Sequence, residues 1–368
     1  MEFKAAVLTK TGGPLEICDV QIPQLKPGDV LIRVMASGLC HTDLEAIQGR
    51  LGLPLPLIPG HEGAGIVERV APDVTSLKPG DHVVCSWNPY CGHCFYCDGG
   101  QQILCEQRTR AEPKGHLLDG STRLRMNGDE VYHYSFVCSH AEYCVVPESG
   151  AVAIPKEMPF AQACILGCGV LTGVGAVIRK AKVRAGSSVA ILGCGALGLN
   201  VIQAARMVGA EKIIAIDLRD DKLEKAREFG ATHTINATGD DLIQAVKDQT
   251  SGRGADYTFE AAGIDHTLQP SLDVTRPGGD VILLGKTLAS KELPIRWASL
   301  APERMITRSS YGGVRPKEDL PFLARSYLRG DLKLDELIDT RIQLDQINKG
   351  FSDMEEGWLV RSVIEFNH

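Results

Sequence analysis

Nothing in the sequence reads as a segment built for lipid, for export or for nucleic acid. No uninterrupted stretch of about 18 apolar residues stands out, and a membrane-spanning helix needs about that length, so no span is expected. The opening MEFKAAVLTK alternates like a first β-strand and carries no apolar signal core or cleavage site. Long basic runs are missing, and a formal net charge of −7 gives no electrostatic footprint for nucleic acid. Low-complexity tracts and solenoid-type periods are absent as well. The expectation is a cytoplasmic protein with neither nucleic-acid nor membrane partners.

What is present is ordinary globular composition with one anomaly. The 368 residues are 44% hydrophobic and 23% charged, and that length suggests two domains. The anomaly is 12 cysteines. In a reducing compartment, closely spaced cysteines bind metal more often than they form disulfides. Four of them fall between Cys91 and Cys105; the others are scattered.

Texture divides the chain. Up to about residue 160, short alternating runs (FKAAVL, DVLIRVMASG, GAGIVERVA, DHVVCSW, AEYCVVP) are separated by Pro/Gly turns, with KPGD at Lys26–Asp29 repeated at Lys78–Asp81. That pattern predicts an all-β barrel or meander. Beyond it, the strand SSVAILG, the helix ALGLNVIQAARMVG, the strand KIIAIDL and the helix DDKLEKAREFG follow in turn. DYTFEAAG and DVILLG continue the alternation, which implies a parallel sheet. After about residue 310 the texture is mixed and ends in a strand-like VRSVIEF.

Gly193-Cys194-Gly195-Ala196-Leu197-Gly198 is a GxGxxG placed after a buried strand and opening a helix, with Asp217 ending the next strand. Gly193 would permit a tight turn, Gly195 a close backbone approach to a pyrophosphate, and Gly198 close helix–strand packing. The helix N-terminus offers free N–H groups to phosphate. Asp217 suits the two ribose hydroxyls of NAD and would repel a 2′-phosphate. Arg219 and Lys222 keep NADP open as the alternative.

Cys91, Cys94, Cys97 and Cys105 form CxxCxxC and a fourth cysteine eight positions on. Four thiolates so spaced can close a tetrahedral shell around Zn²⁺, the mark of a structural site. An iron–sulfur cluster is the rival, although its motif normally ends in Cys-Pro and here Glu106 follows Cys105. His93 is expected on the surface, outside the shell.

A second scattered set, Cys40-His41-Thr42-Asp43, Gly60-His61-Glu62 and Cys168, proves nothing by spacing alone. Taken in order, CHTD, GHEGAGIVERV, the four-cysteine lobe, LGCGVLTGVGA and GCGALG resemble the zinc-dependent medium-chain alcohol dehydrogenases, across essentially the whole chain. The resemblance extends to the long-loop, class I/III-like and benzyl-alcohol-dehydrogenase-like members. It implies a GroES-like β-barrel catalytic domain from residues 1–169 and 310–368. A Rossmann NAD-binding domain, a doubly wound parallel sheet over 170–309, would be inserted, with the active site in the cleft. Cys40, His61 and Cys168 match catalytic zinc ligands that leave a fourth position open, so two zinc ions per subunit are expected. Glu62 matches a carboxylate behind the ligands or an alternative ligand, and Asp43 another orienting carboxylate. Thr42 matches the hydroxyl that takes the alcohol proton. His41, Thr172, Leu197, Lys222 and Arg361 match cofactor contacts, with His41 and Arg361 near the pyrophosphate. Where the family's relay often ends in histidine, this chain has Glu45.

The reaction implied is hydride transfer between NAD and an alcohol/aldehyde pair. Trp87 matches a position that lines the substrate pocket and, with nearby leucines and valines, suits an apolar or aromatic primary alcohol. The alternative is a thiol-adduct-dependent formaldehyde dehydrogenase of the same family. LGLPLPLIP carries no acidic residue to support it, and Arg108 and Arg110 are read first as solvated charges. A remoter rival is a family member that has lost catalysis. A homodimer paired through edge strands near DVILLGK is expected, with a tetramer as the alternative.

Overall fold

The computed structural model describes residues 1–239, 241–287, 291–357 and 360–368. It contains two compact units, one of Met1–Cys168 with Arg315–His368 and one of Gly169–Val314.

The first unit is built from two β-sheets. One runs, in spatial order, Ala151–Ala153, His82–Cys85, Glu62–Val70, Asp29–Gly38, Ser362–Glu365 and Thr340–Ile342, with Tyr143–Pro147 also paired to Asp29–Gly38. The other runs Glu2–Val7, Glu16–Gln21, Leu124–Met126, Asp129–His133 and Leu57–Ile58. The KPGD phrases are matching turns. In each, the Asp N–H donates to the Lys carbonyl at 3.1 Å, and Gly28 and Gly80 hold φ of 77° and 86°. Proline then glycine at the two central positions is the chemistry of a type II turn. The last strand lies antiparallel to Asp29–Gly38, with Val363 opposite Gly38, which carries Arg361 to the end of that strand beside Leu39.

A buried ion pair ties this unit together. Arg123 donates from Nη2 to Asp29 Oδ1 at 3.1 Å and from Nε to Oδ2, both side chains being almost fully buried. Burial raises the Asp29 carboxyl, and the Arg123 hydrogen bonds oppose that rise. Removing the guanidinium would strand a buried carboxylate, which costs about 3–5 kcal/mol. Arg123→Met is therefore expected to lose about that much stability in urea unfolding. A change below about 1 kcal/mol would show that the pair is not the constraint claimed.

The second unit is a six-stranded parallel sheet. In spatial order it runs His233–Asn236, Lys212–Asp217, Ser188–Leu192, Ala255–Glu260, Thr275–Leu283 and Met305–Arg308. Numbered along the chain this is 3-2-1-4-5-6, the doubly wound dinucleotide-binding order, with its switch point between Ser188–Leu192 and Ala255–Glu260.

Two expectations need correction. The segment DVILLG belongs to Thr275–Leu283, an interior strand, and Met305–Arg308 is the edge beyond it. The pattern around residues 300–310 is too polar to read as a strand by alternation. A helical run long and apolar enough to span a membrane does exist, Phe160–Ala181, of 22 residues with a mean hydropathy of 1.9 over its most apolar 18. Its glycines, with Gln162 and Thr172, break the run to the eye. Because 83% of its most apolar window is buried inside the protein, that apolarity serves core packing.

Candidate metal centre and dinucleotide loop

Three short pieces of chain meet at Cys40, His61, Glu62 and Cys168. Their ligand atoms all lie within 4.8 Å of one another. Cys40 caps the helix His41–Ile47 after the strand Asp29–Gly38. His61 directly precedes Glu62–Val70, a strand hydrogen-bonded to Asp29–Gly38 with Gly38 opposite Glu62. Cys168 sits in a π-helical turn, Leu166–Val170, a distortion that recurs at functional sites. Glycine is required beside it, because a Cβ on Gly167 would come within 2.9 Å of the Cys85 carbonyl.

Asp43, fully buried, binds these pieces together. Oδ1 accepts from the Gly60 N–H at 3.1 Å and lies 2.8 Å from His61 Nδ1. Oδ2 accepts from the Cys40 N–H at 3.1 Å. With its Nδ1–H committed to Asp43, His61 offers Nε2 as the ligating atom, where a cation would replace a proton, the usual carboxylate–histidine arrangement of a zinc site. Burial alone would lower the His61 imidazole, yet Asp43 and Cys40 carry it well above its ordinary value. The hydrogen bond from Cys168 is the largest cause holding the Cys40 thiol well below its usual range, and Arg361 and His61 add to it. That same hydrogen bond pushes Cys168 up.

Glu62 is fully buried and accepts from Arg361 Nη2 at 3.0 Å through Oε1. Oε2 has no hydrogen-bond partner among the described residues. Burial raises this carboxyl to about 7 against the pull of Arg361. Two sulfurs, one imidazole and an adjacent half-satisfied carboxylate fit a borderline cation such as Zn²⁺. Thr42 stands beside the cluster, its Oγ1 3.8 Å from Cys40 Sγ. Its carbonyl accepts from Tyr134 Oη at 2.9 Å, and the Tyr134 ring meets His61 edge-on. His41 is exposed, and Glu45 is half-buried one helical turn beyond it. Arg361 is buried, with Nη1 on the Leu39 carbonyl at 3.3 Å, and so is already engaged by protein groups.

The sulfurs of Cys91, Cys94, Cys97 and Cys105 also lie within 4.8 Å of one another. The backbone folds toward them, with the Cys91 N–H 3.3 Å from Cys105 Sγ. His93 is exposed, its Nδ1 2.9 Å from the Cys91 carbonyl, and does not belong to the cluster. Trp87 follows the strand His82–Cys85 and packs on the barrel core, as do the half-buried Leu44, Leu51, Leu53 and Leu55. Arg108 departs from its expected solvation. Its side chain is only 10% exposed, with Cζ 5.2 Å over the Trp87 ring and Nη2 2.9 Å from Glu112. Arg110 is exposed and pairs with Glu106.

In the second unit the glycines differ in kind. Gly193 has φ of 96°; Gly195 faces open space; a Cβ on Gly198 would lie 1.9 Å from the Gly193 carbonyl oxygen. Asp217 Oδ2 accepts from the Cys194 N–H at 2.8 Å, so the carboxylate is fixed to the glycine loop itself. Oδ1 accepts from the Leu218 and Arg219 N–H groups. The Arg219 guanidinium pairs with Asp221 at 2.6 Å, and Lys222 lies in the first turn of Asp220–Phe229. Leu197 is in the loop's helix, Ala196–Met207. Thr172 lies in the helix Leu171–Gly175, where a Cβ on Gly173 would meet Asn200 and the Leu197 carbonyl.

Sequence reasoning missed a polar network behind Asp43. His140, fully buried, has Nδ1 3.0 Å from Ser37 Oγ, which is 2.7 Å from Ser139 Oγ. FVCSHAEY reads as a strand approach, and no local spacing marks its histidine.

Comparison with known proteins agrees with this geometry. Residues 26–156 match the alcohol dehydrogenase GroES-like domain, and 196–325 match the zinc-binding dehydrogenase domain. The chain is 39% identical to an S-(hydroxymethyl)glutathione dehydrogenase of Escherichia coli, covering 100% of both. Among solved structures it resembles an alcohol dehydrogenase zinc-binding domain protein from Burkholderia ambifaria (TM-score 0.96, 36% identity). It also resembles a benzyl alcohol dehydrogenase from Acinetobacter calcoaceticus (TM-score 0.94, 32% identity), and each comparison covers 100% of both chains. With GroES-like and Rossmann folds in one chain and full-length likeness to such enzymes, the protein belongs to the zinc-dependent medium-chain alcohol dehydrogenase family of oxidoreductases.

Proposed function

We propose that the chain is an NAD-linked alcohol dehydrogenase acting on an apolar primary alcohol, aromatic or medium-chain. It would hold one zinc ion at Cys40, His61 and Cys168 and a second at Cys91, Cys94, Cys97 and Cys105. The observation that carries this reading is the cluster of two cysteines and a histidine whose geometry the buried Asp43 fixes. When bound, zinc supplies positive charge that acidifies the alcohol, and NAD supplies the hydride acceptor. The chain's residues do the rest. Asp43 fixes the His61 tautomer, Arg361 offsets the buried Glu62, and the Thr42 hydroxyl takes the alcohol proton. Asp217, anchored by backbone N–H groups, accepts the ribose hydroxyls and disfavours a 2′-phosphate.

The half-buried Leu51, Leu53 and Leu55, with Trp87, pack on the barrel core, and their remaining apolar surface would suit an apolar substrate. A second reading, oxidation of a glutathione–formaldehyde adduct, would use the buried Arg108 on the Trp87 face, its guanidinium exchanging Glu112 for a substrate carboxylate. The activity named for the Escherichia coli relative points the same way. Steady-state rates with NAD or NADP separate the readings, using benzyl alcohol, hexanol, and formaldehyde with and without glutathione. Highest kcat/KM for benzyl alcohol or hexanol with NAD supports the first. Oxidation of formaldehyde that needs glutathione and outpaces both alcohols establishes the second.

The enzyme is further proposed to be a cytoplasmic homodimer, its sheets joined at Met305–Arg308. Trp297 and Met305 are 80% and 63% exposed near that edge, apolar area that association would cover.

A further inference from the structure

We propose that His140 is a positioning residue for the metal centre, orienting Asp43 and through it His61, at the end of a hydrogen-bonded chain that begins at Ser139. This rests on the reading of Cys40, His61 and Cys168 as zinc ligands. The direction of the chain follows from the atoms. His140 Nε2 lies 3.9 Å from Asp43 Oδ2 and has no hydrogen-bond partner among the described residues. An Nε2 lone pair facing a fully buried carboxylate would be repelled, whereas an Nε2–H would be attracted. The proton therefore sits on Nε2, and Nδ1 accepts from the Ser37 hydroxyl at 3.0 Å. Ser37 Oγ in turn accepts from Ser139 at 2.7 Å. Burial holds the His140 imidazole down at about 4, so the ring is neutral, and at 3.9 Å its Nε2–H acts on Asp43 as an oriented dipole rather than through a hydrogen bond.

The backbone of the same segment braces the chain that carries His61, and the ring packs against it at Gly60. The His140 N–H donates to the Pro59 carbonyl at 3.2 Å, and the Ser139 N–H donates to the Gly60 carbonyl at 3.0 Å. Gly60 has φ of 96°, and a Cβ there would lie 2.7 Å from His140 Nδ1. His61 is thus approached from two directions by one segment, by the His140 ring facing the Asp43 carboxylate and by the Ser139 and His140 backbone N–H groups on the preceding peptide.

The test compares zinc-loaded wild type with His140→Phe, which fills the ring's space without polar atoms, and His140→Gln, which restores an N–H donor. Readouts are zinc transfer to a chelator and the visible spectrum after cobalt replaces the catalytic ion. Loss of a residue that orients a metal ligand typically costs about 10–100-fold in metal affinity. His140 acts one step further out, so His140→Phe is expected to release the ion about tenfold faster and to shift the cobalt bands. His140→Gln should return both toward wild type. Wild-type release and spectrum in His140→Phe overturn the proposal, as does equal impairment of both variants, since that reports packing alone. A wild type that binds no metal at this centre overturns the underlying ligand assignment instead, and the proposal falls with it.

Discussion

Cys40→Ala is expected to lower alcohol oxidation by at least about 10³-fold and to remove one of two zinc ions per chain, while the fold survives. The separation of effects follows from local structure. Cys40 is the N-cap of His41–Ile47, with extended φ and ψ of −129° and 149°, which alanine adopts readily. The Cys40 N–H is satisfied by Asp43 Oδ2, a bond that does not involve the sulfur. Alanine therefore keeps the extended cap backbone and the Asp43 clamp, and deletes the metal donor together with the sulfur's contacts to the helix start. His61 and Cys168 then remain, and Glu62 could add only a carboxylate oxygen where the set had a thiolate. Asp43→Asn makes the graded comparison, since it leaves every ligand in place and weakens only their orientation. About 10–100-fold is expected there, so Cys40→Ala should be the worse variant. Metal analysis together with benzyl alcohol kinetics checks the order. Two zinc ions and full activity in Cys40→Ala would remove that centre from the reaction.

Much of this arrangement is legible in the sequence, because local rules govern it. Proline and glycine specify the KPGD turns, and a strand, three glycines and a terminal Asp217 specify a dinucleotide loop whose Gly198 cannot bear a Cβ. Cysteine spacing brings Cys91, Cys94, Cys97 and Cys105 together within one short lobe. What could not be read depends on approach through space. Ser37 and His140 are more than 100 positions apart and meet only because β-pairing brings their segments together. Arg108 looks like a surface charge on the helix Glu106–Ala111, and only the return of Trp87 beneath it buries the guanidinium. The edge role of Met305–Arg308 is likewise a property of sheet order, which no local pattern encodes. Cys40, His61 and Cys168 are intermediate: their spacing carries no signal, and they meet because the strand ends that bear them converge with the turn at Cys168.

Cys105→Ala is expected to remove the other zinc ion and to loosen the lobe around residues 91–105, with a smaller effect on the chemistry. This segment has almost no apolar core of its own. Cys97 and Cys105 are its buried side chains, whereas Phe95 is 78% exposed and Leu104 is 47% exposed. Burial cannot offset the entropy of ordering such a loop, so a metal held by four thiolates is the available source of order. The short helices Phe95–Asp98, which carries Cys97, and Gln102–Leu104, which leads into Cys105, are below the length at which helices hold by themselves. Loss of one ligand from a closed shell leaves three, and structural sites are four-coordinate. The variant should contain one zinc ion per chain, melt several degrees lower, and be cleaved by protease within the lobe before the rest unfolds. Its kcat should fall much less than that of Cys40→Ala, because Cys40, His61 and Cys168 with their Asp43 clamp are separate from the lobe's cluster. Unchanged zinc content and protease resistance in Cys105→Ala would show that the four cysteines hold no metal and that the lobe is ordered by other means.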